Sequence, residues 1–128
     1  MIVADFKGAS EVSTPTELEA ALKKRYGHDA NSFWLSHPPM RDPSLAILVR
    51  GDLASINYFP GDGSAGFRSV GHVGGLEPGE MSIFYLDSEK QELPMLNDSI
   101  VPFSDALKAA LEFFVSAALP VSMEWFEL

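Results

Sequence analysis

The sequence predicts an α+β domain in which two main helices pack on one face of a single antiparallel sheet of about five to six strands. Three observations support this fold class. A helical repeat of apolar residues precedes a strand-rich middle, a second helical repeat follows it, and glycine or proline separates the short β-rich runs. The length of 128 residues and the hydrophobic content of 46% fit one domain spanning residues 1–128.

The first helix is predicted to begin after Thr14. The segment Thr14–Glu17 supplies an N-cap threonine, a proline at the first helical position and a glutamate that can complete a capping box. Apolar residues then recur on one face as far as Tyr26. Lys23–Arg25 place positive charge at the negative end of the helix dipole, and Gly27 can adopt the left-handed conformation that stops a helix. We therefore expect the helix to end near Gly27.

Five runs between the two helices have β-strand character. Two of them flank Arg50-Gly51-Asp52, a spacing typical of an antiparallel hairpin in which Gly51 takes a positive φ. Polar and apolar residues alternate in the second run of this hairpin, so one side of the sheet is expected to be polar or to face a ligand. The predicted strands are Ser32–Ser36, Leu45–Val49, Leu53–Phe59, Phe67–Val70 and Met81–Leu86.

The C-terminal part is predicted to contain a loop, a helix and a last strand. Asp87–Ser99 is acidic and contains a proline, which predicts a long surface loop of the kind that often binds partners. Apolar residues repeat at helical spacing from Phe103 to Ala117, and Pro120 ends that helix. The alternation after Pro120 predicts a strand that completes the sheet. The larger side chains expected in the core are Trp34, Tyr58, Phe59, Leu111, Phe114 and Trp125.

The net charge of −9 is concentrated in the C-terminal part of the chain. Residues 1–76 carry eight acids and seven bases, whereas residues 77–128 carry ten acids and two bases. An anionic surface repels nucleic acid and membrane headgroups but attracts a basic protein partner. Solubility alone is the competing explanation of the acid excess. The charge therefore argues against direct binding of nucleic acid or membrane and leaves a basic protein partner open.

No residue pattern predicts catalysis, a cofactor or a metal. Gly61–Gly66 has the G-x-G-x-x-G spacing, but the next segment is strand-like, whereas a phosphate-binding loop needs a helix there. His28, His37 and His72 lack the mutual spacing of a metal site. The chain has no cysteine, and no run approaches the roughly 20 apolar residues of a membrane span. We expect a cytoplasmic protein without a cofactor.

Four blocks of the chain resemble one known family. They are the entry strand Ala30–Leu35, the hairpin Leu45–Phe59, the helix end Ala109–Phe114 and the closing segment Pro120–Leu128 with its Glu124-Trp125 pair. Together these blocks resemble the immunity proteins of bacterial polymorphic toxin systems, specifically those found beside nucleic-acid deaminase toxins. The resemblance implies a protein without enzyme activity or cofactor that binds one toxin domain in the producing cell and blocks its active site.

The resemblance and the charge distribution together lead to a partner-binding hypothesis. A toxin that acts on nucleic acid tends to carry a basic substrate channel, which an acidic surface can occupy as a charge mimic. The residues expected to contribute to the contact are Asp52, Asp62, Asp87, Glu89, Glu92 and Asp98.

Two alternatives stay open at this point. One is a small non-catalytic ligand-binding α+β domain whose acids only maintain solubility. The other is an enzyme that uses His37 or His72 with a nearby acid, which would require a buried histidine beside a cleft. The sequence also leaves open whether inhibition is direct or allosteric, and whether the protein is a monomer or a dimer.

Overall fold

The computed structural model describes every residue from Met1 to Leu128. It contains two helices and ten strands, with short 3-10 turns at Gly27–Asp29 and Asn97–Ser99. The helices are α1 (Pro15–Leu22) and α2 (Phe103–Ser116). The strands are β1 (Ile2–Asp5), β2 (Gly8–Glu11), β3 (Ala30–Ser36), β4 (Ser44–Arg50), β5 (Leu53–Phe59), β6 (Phe67–Ser69), β7 (Met81–Tyr85), β8 (Glu92–Leu96), β9 (Ile100–Pro102) and β10 (Trp125–Glu127).

Eight of the strands form one antiparallel sheet in the order β10-β6-β5-β4-β3-β1-β2, with β9 paired to the first half of β5. Strands β7 and β8 pair only with each other, as a separate hairpin. The predicted α+β class with two helices and an antiparallel sheet is confirmed, but the prediction of a single sheet of five to six strands is wrong, because the main sheet has eight strands and β7 lies outside it. The strands absent from the prediction are β1, β2, β8 and β9; β2, for example, is wholly exposed and shows no apolar alternation.

Helices α1 and α2 cover one face of this sheet, as predicted. Side chains alternate along a strand, so every second residue of β3, β4 and β5 faces the helices. Phe33, Ile47 and Ile56 lie opposite one another in these three strands and are all buried. They belong with Leu22 of α1 and Phe113 of α2 to a cluster of 18 buried residues. We call this cluster the helix-side core.

A smaller cluster lies on the second face of the sheet. Leu48 of β4 and Ile100 of β9 pack there with Phe84 of the β7–β8 hairpin. Arg50 Nη1 donates a hydrogen bond of 3.1 Å to the carbonyl of Ile83, which ties the hairpin to the end of β4. The hairpin thus covers one part of the second face.

Helix α1 begins as predicted but ends earlier. Thr14 is the N-cap, and its Oγ1 accepts a hydrogen bond of 3.1 Å from the backbone N–H of Glu17. The helix ends at Leu22, whose carbonyl accepts a 2.6 Å hydrogen bond from the Arg25 guanidinium. The predicted stop at Gly27 is wrong, since the left-handed residues are the two that follow this glycine.

The central hairpin agrees with its prediction. Arg50 pairs with Leu53, and Gly51 between them has a φ of 57°, a conformation that glycine adopts without a Cβ clash. Register is continuous from this turn to the pair formed by Ser44 and Phe59. Strands β4 and β5 are therefore matched over their whole length.

The segment Asp87–Ser99 is not the long loop that its composition predicts. It contains β8, in which Pro94 pairs with Ile83 of β7. Proline is tolerated there because β8 has no second neighbour to which it would have to donate a hydrogen bond. Leu93 and Met95 pack against the smaller cluster of the second face, and this apolar alternation is concealed by the acidic residues around it.

The predicted helix followed by a last strand is confirmed at the C-terminal end. Helix α2 ends at Ser116, followed by Ala117 in the left-handed conformation with a φ of 55°. Strand β10 pairs with β6 and forms one edge of the sheet. It begins at Trp125 and not directly after Pro120, and a turn lies between them, which the indole Nε1 of Trp125 closes with a 2.7 Å hydrogen bond to the Pro120 carbonyl.

Candidate partner-binding surface

The second face of the sheet is open beside the β7–β8 hairpin. The register of the strands places six residues in one row across this region, and two of them are large and exposed. Trp34 is 39% exposed and Phe126 is 52% exposed. The row consists of Ala4, Trp34, Ala46, Asn57, Arg68 and Phe126. We call these six residues, together with Phe59, the open face.

Trp34 is stacked on Phe59 of the open face. The two rings have centroids 5.5 Å apart and an interplanar angle of 13°. The prediction that Trp34 lies in the core is wrong, because this residue faces away from the helices and is exposed. Tyr58 faces the helix-side core and is only 7% exposed, as predicted. The prediction is also wrong for Phe59, which lies with Trp34 on the open face and is partly exposed. Three further large residues predicted in the core are partly buried against it: Leu111, Phe114 and Trp125.

A small cavity of about 70 Å³ lies where the open face meets the tip of the β7–β8 hairpin. Ala4, Trp34 and Ala46 line it from the sheet, and Asp87 lines it from the hairpin. Asp87 is left-handed, with a φ of 64°, and its backbone N–H donates a 3.0 Å hydrogen bond to Ser32 Oγ. This bond fixes the carboxylate-bearing tip beside the exposed indole.

The same hairpin carries two further acidic residues predicted to bind a partner. Glu89 lies in the turn, and its Oε2 accepts a 3.2 Å hydrogen bond from the backbone N–H of Gly27. Glu92 is exposed at the start of β8, opposite Tyr85. The fold therefore brings Asp87, Glu89 and Glu92 together at one end of the hairpin.

Asp52 and Asp62 lie at opposite ends of β5, and a strand of this length separates them by about 20 Å. Asp52 is exposed in the turn between β4 and β5, near Arg25. Burial lowers the pKa of the Arg25 guanidinium, and the negative charges of Asp29 and Asp52 partly oppose that shift. Asp62 is exposed and left-handed in the loop after β5, with a φ of 58°.

Asp98 is partly buried and is bonded inside the molecule. Its Oδ1 accepts a 2.9 Å hydrogen bond from the backbone N–H of Gly79. Its carbonyl oxygen accepts from the Gly71 N–H at 2.8 Å and from Arg68 Nη1 at 3.3 Å. The six predicted acidic residues therefore do not form one patch, since three share the hairpin and three lie at separate places.

The three histidines lie apart from one another. The ring of His28 stacks on Tyr85 at a centroid distance of 4.5 Å. His37 Nε2 lies 3.1 Å from the carbonyl oxygen of Phe114, and His72 is exposed on a surface cleft of about 520 Å³. No three His, Asp or Glu side chains are grouped so that they could hold a metal ion. Neither helix is long and apolar enough to cross a membrane.

A compact α+β domain whose sheet exposes aromatic side chains beside carboxylates has the features of a protein-binding module. The chain belongs to the Imm1 immunity protein family, because the sequence model of that family, described as "Immunity protein Imm1", matches residues 7–127. It is also 30% identical, over 130 residues that cover 100% of both chains, to the "Double-stranded DNA deaminase immunity protein" of Burkholderia cenocepacia (strain H111). The resemblance noted in the sequence is confirmed.

Proposed function

We propose that this protein binds and inhibits a cognate toxin domain that deaminates nucleic acid, and thereby protects the cell that produces the toxin. The observation that carries the proposal is the similarity, over the full length of both chains, to a double-stranded DNA deaminase immunity protein. In this proposal the protein acts in the cytoplasm as a stoichiometric binder without catalytic activity.

A basic toxin domain would favour such a complex. Proteins that act on nucleic acid neutralise phosphates with Lys and Arg side chains, so their substrate channels are positively charged. This protein carries a net charge of −9. Opposite electrostatic fields accelerate the encounter of two proteins and favour the correct partner over an acidic one.

The acidic residues would contribute to toxin binding in two ways, by direct contact and by electrostatic attraction over a longer distance. We propose direct contact for the three carboxylates at the end of the β7–β8 hairpin, because they share one end of this hairpin and Asp87 among them borders the open face. We propose a longer-range attraction for the three at separate places. The first group is Asp87, Glu89 and Glu92, and the second group is Asp52, Asp62 and Asp98.

The deciding experiment uses the toxin domain that the proposal expects to be encoded beside this gene. Titration calorimetry measures whether an equimolar complex forms, and a deaminase assay on double-stranded DNA measures whether the activity disappears. We expect tight equimolar binding and loss of deamination. A toxin domain that stays fully active in an excess of this protein would refute the proposed function.

The contribution of the hairpin is tested by charge reversal. Glu92→Lys should slow association with the toxin domain by about tenfold at low salt, and by less at high salt, because the altered charge faces a basic partner. Glu127→Lys on the edge strand β10 is the matched control, since this exposed residue pairs with Phe67 and changes the net charge equally on the helix side of the sheet, away from the hairpin. Stopped-flow rates that are equal for the two variants would remove the hairpin from the contact.

A further inference from the structure

We infer that the toxin domain docks on the open face and that Trp34 is the central apolar anchor of the complex, an inference that rests on the proposed function. The β7–β8 hairpin covers Leu48 and its neighbours on the second face. It stops short of Trp34, which keeps 39% of its surface exposed. The toxin domain would cover this exposed surface of Trp34.

The open face has the properties of the centre of a protein interface. Tryptophan is enriched among the few residues that dominate binding energy. Trp34 is already ordered by its stack on Phe59, so binding would cost little conformational entropy at this side chain. Its neighbours in the row, Ala4 and Ala46, are small, so partner atoms can reach the sheet surface beside the indole.

Carboxylates border the aromatic pair on two sides. Asp87 lies beside Trp34 at the tip of the hairpin. Beyond the end of β5, Asp42 and the exposed Asp62 lie in two adjoining loops, which touch where Asp42 meets Gly61. An apolar centre with Asp87 in the contact and with Asp42 and Asp62 attracting the partner from the edge complements a basic protein surface, as expected for a toxin that binds nucleic acid.

The cations of this region do not cancel that border. Arg68 lies in the row, but its Nη1 donates to the carbonyls of Ser69 and Asp98, and its guanidinium carbon lies 4.7 Å from the centre of the Phe126 ring. These contacts hold the charge at the opposite end of the row from Asp87 at the hairpin tip. Arg41 is exposed next to Asp42 in the chain. The region still carries more carboxylates than cations.

The other exposed apolar surface lies on α2 and the segment that follows it. It is a groove of about 550 Å³, and its charged lining residues are one lysine and one glutamate, which balance. It lacks an anionic border, so it has no feature that would select a basic partner. Its apolar lining includes Leu111, Val115, Leu119 and Val121.

The test compares the two apolar surfaces by titration calorimetry with the toxin domain. Trp34→Ala should weaken binding by about 30-fold or more, which is the usual effect of truncating a tryptophan at an interface centre. Val121→Ala removes apolar atoms from a side chain that is 91% exposed in the groove of α2, and its affinity should stay within about twofold of the wild type.

A second variant leaves the aromatic pair intact. Asn57→Arg adds bulk and positive charge at a partly exposed position of the open face, and it should weaken binding by about tenfold or more. Thermal melts establish that each variant is folded. Wild-type affinity in both folded variants would overturn the docking inference while leaving the proposed function intact.

A direct readout uses the fact that the chain has two tryptophans. In protein labelled with 5-fluorotryptophan, unlabelled toxin domain should shift the ¹⁹F resonance of Trp34 and leave that of Trp125, whose indole is bonded to the Pro120 carbonyl. A shift of Trp125 alone would overturn the inference.

The oligomeric state of the free protein gives a further test. The inference would also be overturned if the free protein were a dimer, and if Trp34→Ala made it a monomer without reducing its affinity for the toxin domain. The open face would then bind a second copy of this chain. No binding by the wild type would instead refute the proposed function itself.

Discussion

The two faces of one sheet are built differently. The face under α1 and α2 contributes to a core of 18 buried hydrophobic residues. The second face has a cluster of only three. Buried hydroxyls lie beside that cluster, where Ser55 Oγ and Ser99 Oγ are 2.9 Å apart and Ser69 Oγ donates to the Ser99 carbonyl. The rest of the second face is partly exposed.

In the proposed function, the helix side of the sheet provides most of the stability and the second face provides the binding surface. Burial of apolar area is the main favourable contribution to folding, so most of it comes from the helix side. The second face can then expose a stacked aromatic pair without loss of the fold. Substitutions on the helix side should therefore reduce stability most, whereas those on the open face should mainly reduce toxin binding.

The largest effect is expected on the helix side. Phe113→Ala removes a fully buried ring that meets the edge of Tyr58 at a centroid distance of 6.2 Å. It should lower the free energy of unfolding by about 3–5 kcal/mol, as measured by urea denaturation. Phe114→Ala, on the next and partly buried residue of α2, is the control and should lose less. Equal losses would contradict the assignment of Phe113 to the core.

A smaller effect is expected where a loop approaches the second face. A Cβ at Gly71 would lie 1.6 Å from the carbonyl oxygen of Ile100, so Gly71→Ala must displace the loop or β9. The expected loss in the free energy of unfolding is about 1–3 kcal/mol. Gly74→Ala in the same loop meets no atom within 4 Å and should be nearly neutral. If both variants unfold at the same urea concentration, the close approach at Gly71 does not matter for stability.

Trp34→Ala should lower stability less than Phe113→Ala, by about 1–2 kcal/mol. The loss comes from the stack with Phe59, which is typically worth about 0.5–1.5 kcal/mol, and from a ring that is only partly buried. Urea denaturation of the two variants side by side measures the difference between the faces. A loss as large as that of Phe113→Ala would show that Trp34 supports the fold and would weaken the contrast.

The predictable parts of the fold are those with local signals. The N-cap at Thr14, the glycine turn at Gly51 and the apolar repeat from Phe103 onward each depend on residues close in sequence. After the end of helix α1, Arg25 Nη2 donates to the Gly51 carbonyl and Asn31 Nδ2 donates to the Lys24 carbonyl. A helical pattern within the segment contains neither bond. Strand β8 was missed because its apolar residues are few and acidic ones surround them.

The candidate site was less predictable than the fold. Alternation indicates that Trp34 and Phe59 share a side of the sheet, but it cannot indicate which side the helices cover. Acid composition pointed to Asp87 and its neighbours, yet the distance between Asp52 and Asp62 depends on how β5 lies in the sheet. Tertiary packing determines how exposed these side chains are and how far apart they lie. A binding surface of this kind therefore cannot be identified without the structure.

The smallest expected effect concerns pH and the helix-side core. Burial raises the pKa of the Tyr58 phenol above its ordinary value of 10.0. The folded protein therefore holds this proton more tightly than the unfolded chain, and stability falls as the pH rises above about 10, where the unfolded chain ionises first. Tyr58→Phe removes this contribution, so its free energy of unfolding should fall less between about pH 8 and pH 11 than that of the wild type.

Tyr26 provides the comparison for this pH effect. Its pKa is also raised, by burial first, then by the charge of Asp5 and by the hydrogen bond to that carboxylate. Tyr26→Phe should therefore also reduce the loss of stability at high pH. Asp5→Asn should change that loss in the protein that has Tyr26 but not in the Tyr26→Phe variant. Urea denaturation at the two pH values tests both residues. If Tyr58→Phe and the wild type lose the same free energy, burial at the helix-side core does not govern the ionisation of Tyr58, and the contrast between the faces rests on packing alone.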